Sequence, residues 1–197
     1  MTDRQRFWVR EAGVVAFFLV LSLVATRPLA SGMGRQTLAG PDPLIDLWTL
    51  HWLTGHIARP TEFFGGNIFY PVPGAVLYSD LSMGTAALML PFRLLIDDGV
   101  VLYNLSVILA LAFGGWSFFL LTRRLTGELW PSLLAGVLAA FASHQLYHVY
   151  HLNLLSTGWI ALFLYGLHWL VRTPSWKAAL LVGVSFSLSA QSSGYYA

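Results

Sequence analysis

Apolar residues fill this chain in long runs broken by short polar stretches, and the run lengths predict membrane helices. A helix that crosses about 30 Å of hydrocarbon needs roughly 20 mostly apolar residues. The first run, from about Trp8 to about Leu29, is read as an uncleaved first span, because its flank Thr26-Arg27-Pro28 makes a poor cleavage site. Further spans are predicted at Val100–Thr122, Trp130–Ser143, Leu154–Val171 and Ala178–Ala190. A weaker stretch, Leu81–Leu95, is interrupted by Pro91 and Arg93. The expected fold is therefore all-α, a polytopic transmembrane helix bundle. Residues 1–30 carry the first span, 31–99 form a loop with membrane-surface helices, and 100–197 carry the other four spans.

Basic residues decide what the weaker stretch does. Arg4, Arg6 and Arg10 place the N-terminus in the cytoplasm under the positive-inside rule. If Leu81–Leu95 does not span, Arg123, Arg124, Arg172 and Lys177 also fall inside. If it spans, those four fall outside. Five spans are thus expected, with Leu81–Leu95 as a re-entrant or surface-lying helix on the outer side.

Composition agrees with this reading. Of 197 residues, 56% are hydrophobic and 10% charged, against about 25% charged in soluble domains. The net charge of +2 is spread in ones and twos between apolar runs, so the basic residues read as topology signals and no nucleic-acid partner is expected. The absence of cysteine excludes disulfides, thiolate metal sites and cysteine nucleophiles. Glycine-rich phosphate loops and Gly-x-Ser-x-Gly elbows are also missing. The chain stops on Ala197 with no polar tail, which is read as a sign of an incomplete membrane module.

The candidate chemistry lies in the loop that follows the first span. Asp42-Pro43 reads as a helix start, with Asp42 as cap, and Leu44, Leu47, Trp48, Leu50 and Trp52 continue an amphipathic helix to about Ala58, where Arg59-Pro60 stops it. Trp48 and Trp52 are expected in the headgroup zone. Asp42 has two readings, a plain capping carboxylate, or a general base or cation ligand facing a membrane-borne substrate. Asp46 follows at i+4 and shares its helix face. Such a pair could hold a divalent cation or raise one pKa, or it could be a solvated face.

Gly65-Gly66, Pro71, Pro73 and Gly74 break regular structure further on. Phe69, Tyr70 and Tyr78 there could floor a sugar-binding surface, and Ser79-Asp80 reads as a cap for the next helix. His144, His148 and His151, at i, i+4 and i+7, share a face if their helix continues. With no carboxylate nearby in sequence, anion binding by these imidazoles and Asn153 is a better reading than zinc, and an interfacial cluster of histidines and tyrosines is the bland one.

Taken in order, GPDPLIDLWTLHW, NIFYPVPGAVLYSD, LPFRLLIDDGVVLYNL, LLTRRLTG, HVYHLNLLSTGW and SSGYY resemble the bacterial membrane enzymes of the GT-C glycosyltransferase superfamily, in the neighbourhood of protein mannosyltransferase-like and arabinosyltransferase-like proteins. The similarity covers nearly the whole chain but only the N-terminal part of such a protein. It implies a polyprenyl-phosphate-linked sugar donor used on the outer face of a bacterial plasma membrane, a glycan, lipid or protein acceptor, and a catalytic acidic residue in the first outer loop. By position in the GPDP motif that role falls on Asp42. Asp46, Asp80, His148, His151 and Asn153 are the expected substrate-binding residues, with magnesium or manganese as a possible cofactor. The alternative is a non-catalytic membrane protein, a transporter or an assembly partner.

Overall fold

A computed structural model describes residues 2–59 and 61–197, so the predicted helix stop at Pro60 lies outside the described residues. All regular structure among them is helical: α1 (Asp3–Ala25), α2 (Arg27–Ser31), α3 (Pro41–His56), α4 (Met83–Arg93), α5 (Gly99–Thr126), α6 (Leu129–Phe141), α7 (Ser143–Tyr147), α8 (Thr157–Arg172) and α9 (Trp176–Ala190).

Four stretches are long and apolar enough to cross a membrane: Trp8–Ala25, Gly99–Thr126, Leu129–Tyr147 and Leu154–Arg172. This is one fewer than the five spans expected. The fifth, α9, is apolar but has 15 residues, so it reaches only about 22 Å of the roughly 30 Å hydrocarbon core. Helix α4, with 11 residues, is shorter still. It packs against α3, α5 and α9.

The longest helix, α5, is the hub. The Asp98 carboxylate opens it by accepting from the backbone N–H groups of Val100 and Val101 at 2.8 and 3.1 Å. Gly127 closes it in the left-handed region (φ 76°), where a side chain would be strained. Along its length α5 packs against α1, α6, α8, α3 and α4.

Small residues set how closely these helices approach. The fully buried Phe18 ring of α1 lies on Gly115 of α5 and Gly136 of α6, where a Cβ at either glycine would come within 2.4 Å of that ring. One apolar cluster joins Val14 to Phe119, and Asn104 donates to the carbonyls of Met33 and Gln36 at 2.6 and 2.8 Å. As the numbers rise along α1 they fall along α5, so the two helices are antiparallel. Two residues separate α5 from α6, and three separate α8 from α9. These tight turns force antiparallel neighbours and give the bundle two distinct ends.

One end carries the N-terminus, Arg123-Arg124 and Arg172 to Lys177. The other collects the 26–98 segment, the α7–α8 connection and the segment after α9.

Candidate functional site

At this second end a cavity of about 610 Å³ is lined by Asp42, Asp46, Asp80, His144, His148, His151 and Asn153, together with Ile45, Ser79, Leu154, Tyr195 and Tyr196. All six residues singled out in the sequence therefore meet at one place, although 111 positions separate the first from the last.

Asp42 and Asp46 come from the first two turns of α3. The expected cap is corrected here: the helix starts at Pro41, Gly40 is the capping residue, and Asp42 lies in the first turn without capping anything. Prolines at positions 41 and 43 suit this turn, whose N–H groups have no helical partner. The Asp42 side chain is thus left for the cavity. It is about half exposed, and its Oδ2 lies 3.6 Å from Nδ1 of His151, within ion-pair reach but beyond a hydrogen bond.

Asp46, one turn on, is more enclosed. Its Oδ2 accepts from the backbone N–H of Leu152 at 2.8 Å, which docks the α7–α8 connection onto α3. Burial, with smaller contributions from the charges of Asp42 and Asp80, raises its pKa to about 6, against the lowering effect of that hydrogen bond.

Asp80 departs from its expected role. It is not a cap: Ser82 precedes α4 and makes no side-chain cap bond. Instead Asp80 accepts from the side-chain amide of Asn153, from Ser193 Oγ at 3.0 Å and from the Gly194 N–H at 3.1 Å. Asn153 Nδ2 also donates to Ser193 Oγ at 3.2 Å. Both carboxylate oxygens are thereby engaged, and Asp80 ties three remote segments together. This commits the Asp80 carboxylate and the Asn153 amide nitrogen to protein partners.

The three histidines do not share a continuous helix. Helix α7 ends at Tyr147, and His148 and His151 lie in the turn that follows. Their rings nevertheless stay in series, His144 to His148 at 4.6 Å and His148 to His151 at 5.5 Å between centroids. Desolvation first, and then the charges of His144 and His151, lower the pKa of His148. Imidazoles placed so can donate to an anion in the cavity.

Neither loop histidine joins the site. His51 packs against Gly99 at the start of α5. His56 stacks on Trp52 at 3.9 Å and faces Glu62. Trp48 and Trp52 donate their indole N–H groups to Asn67 Oδ1 and the Phe63 carbonyl, and so hold the following segment to α3. The aromatic floor expected from Phe69, Tyr70 and Tyr78 is not part of this cavity; Phe69 and Tyr78 line a separate hollow with Val72.

The aromatic rings at the cavity are Tyr195 and Tyr196, which the reading of the loop missed. Tyr196 points inward, its hydroxyl donating to the Leu154 carbonyl at 2.7 Å, and burial pushes that hydroxyl up to about 12. The SSGYY sequence was the only available signal for them.

Among the described residues no three His, Asp or Glu side chains converge to hold a metal. Asp46 carries one backbone bond and Asp80 three donors, which leaves Asp42 as the least engaged carboxylate.

No family model, curated protein or solved structure matches this chain, so its functional reading rests on the geometry of the cavity and on the resemblance seen in its motifs.

Proposed function

We propose that this chain is the membrane module of a GT-C-type glycosyltransferase that moves a sugar from a polyprenyl-phosphate donor to a hydroxyl of a glycan, lipid or protein acceptor. The observation that carries the reading is the convergence of a little-engaged carboxylate and a row of imidazoles in one cavity at one end of the bundle. Seven of the eleven basic residues lie at the opposite end. By the positive-inside rule this charge asymmetry supports a cytoplasmic N-terminus and a cavity on the outer face of the membrane, and the resemblance implies that the membrane is a bacterial plasma membrane. A transporter would be expected to hold its ionisable groups near mid-membrane, not at one end.

In this mechanism Asp42 takes the proton of the acceptor hydroxyl. The freed oxygen bonds to the anomeric carbon from the face opposite the leaving group. The bond from that carbon to the phosphate oxygen breaks, and the polyprenyl phosphate leaves with the electron pair. In this reading His148 and His151 donate to the phosphate as negative charge builds on it.

Vesicles holding the full-length protein, supplied with radiolabelled polyprenyl-phosphate hexoses and pentoses, provide the test. General-base catalysis contributes about 10²–10⁴-fold, so Asp42→Asn is expected to lose transfer by that factor while folding normally. Transfer at the wild-type rate by this variant would sink the assignment of the base.

A further inference from the structure

Between Glu62 and Asp80 there is no charged residue, yet this stretch exposes Phe64, Phe69, Tyr70, Val72, Leu77 and Tyr78. Tyr70 is 95% exposed and Tyr78 70%. Six large apolar or aromatic side chains so close together on a water-facing surface are unusual; contiguous patches of this kind mark contact with protein or membrane.

The segment is held in shape. Phe63, Ala75 and Val76 are buried beneath it. The Ala75 N–H donates to the Gly65 carbonyl at 2.8 Å, and the Val72 N–H to the Phe69 carbonyl at 2.9 Å. Asn67 and the Phe63 carbonyl receive the indole N–H groups of Trp48 and Trp52 on α3. The exposed rings are therefore presented by a fixed platform. Phe69, Val72 and Tyr78 enclose a hollow of about 360 Å³ between them.

The level of the platform identifies what covers it. Its carrier α3 sits on the first residue of α5, where a Cβ at Gly99 would meet Leu47 and His51. Helix α5 has 28 residues, about 42 Å, which exceeds the roughly 30 Å of hydrocarbon and places its end turns among the headgroups. A charge-free, tyrosine- and phenylalanine-bearing surface fixed at that level matches the chemistry of the bilayer interface, where aromatic rings with one polar atom are favoured.

We infer that residues 63–79 are a membrane-interface anchor: Phe69, Tyr70 and Val72 seat in the boundary between headgroups and acyl chains of the leaflet at the cavity's end. The inference stands on the platform's own geometry and does not depend on the reaction proposed above. Its consequence for the site is positional. Ser79 and Asp80 follow Tyr78 directly and line the cavity, so seating the platform fixes the cavity at headgroup depth.

The chain has no cysteine, so single nitroxide labels can be placed cleanly on the full-length protein in phosphatidylcholine–phosphatidylglycerol vesicles. Labels at Tyr70→Cys and Val72→Cys are compared with a lipid reference at Val20→Cys, an exposed position within α1, and a water reference at Glu128→Cys. Collision rates with oxygen and with a water-soluble nickel chelate report depth. The expected result is an oxygen-to-nickel ratio at 70 and 72 that lies between those at 20 and 128 and clearly above that at 128. A ratio close to that at 128 would overturn the inference by placing the platform in water. Immobilised labels shielded from both reagents would overturn it as well, since protein would then be the cover. Both variants replace exposed side chains, so loss of folding is not expected, and a wild-type unfolding midpoint verifies that.

Discussion

The two ends of this bundle are built on different principles. One end joins its helices by turns of two and three residues and carries seven of the eleven basic residues against three of the nine acidic ones. The other end has the remaining six acidic residues, five of the six histidines and every long connection. At the basic end most of the described charges are exposed; Arg10 pairs with its neighbour Glu11 at 3.3 Å, the Lys177 ammonium lies over the adjacent Trp176 ring at 5.8 Å, and the Arg124 guanidinium lies over the Tyr165 ring at 5.6 Å. At the cavity end polar groups from α3, the segment before α4, the α7–α8 connection and the segment after α9 are hydrogen-bonded across the fold. In the proposed orientation, charge at the basic end has a topological task that needs only sidedness, whereas charge at the cavity end is placed atom by atom, which takes long connections that can fold back.

The largest effect expected from this contrast is all-or-none. Cysteines introduced at Glu128, in the α5–α6 turn, and at Tyr195, on the cavity, are expected to react with a membrane-impermeant maleimide from opposite sides of sealed cells. Tyr195→Cys should label from outside and Glu128→Cys only after permeabilisation. Labelling of both from one side would break the two-ended description. Labelling with the sides exchanged would keep the two ends but remove the outer-face assignment and the proposed function with it.

Within the cavity end, the carboxylates divide in the same way. Asp80 holds structure, and Asp42 holds little. Asp80→Ala strands the Asn153 amide, the Ser193 hydroxyl and the Gly194 N–H. Hydrogen bonds to a charged group contribute about 1.5–3 kcal/mol each and do not add fully, so a loss of about 3 kcal/mol is expected. Asp80→Asn, which keeps one carbonyl acceptor, should lose about half of that. Asp42→Asn should leave the unfolding midpoint in detergent unchanged. Equal destabilisation by Asp42→Asn and Asp80→Ala would show that both carboxylates are structural and would dissolve the distinction between them.

This division explains what could be read in advance. The long spans were legible because 18 or more apolar residues leave few alternatives to a membrane helix, and the non-spanning stretch before α5 was legible from the arginines. The pairing of Asp42 with Asp46 was legible from i, i+4 spacing alone. Asp80 was misread as a cap because Ser-Asp before an apolar run is a local signal, whereas its real partners lie 73, 113 and 114 positions away. No local pattern carries contacts at that distance. The histidine row was found for a reason that did not hold: helical spacing suggested it, but α7 ends at Tyr147 and the following turn keeps the rings together. Helix α9 was counted as a span because its apolar composition is convincing, and only its length argues otherwise.

The smallest effect concerns Asp46, which lies between the two roles: it docks Leu152 and yet lines the cavity. Its pKa is raised from 3.8 to about 6, mainly by burial. An acid with a higher pKa in the folded than in the unfolded state binds its proton more tightly when folded. Its contribution to stability is therefore complete below pH 3.8, falls as pH rises, and is lost above about pH 6. A shift of two units corresponds to about 3 kcal/mol, and partial exposure to solvent reduces that to about 1–2 kcal/mol. Other carboxylates titrate over the same range, so the informative quantity is the difference between wild type and Asp46→Asn. The amide keeps an acceptor for the Leu152 N–H but carries no charge at any pH. The wild-type unfolding midpoint should drop more steeply than the variant's between pH 4 and pH 7.5, and at pH 7.5 the variant should be the more stable protein. Parallel profiles would mean that Asp46 is as well solvated as Asp42, and that the contrast between a docking carboxylate and a free one stops at Asp80.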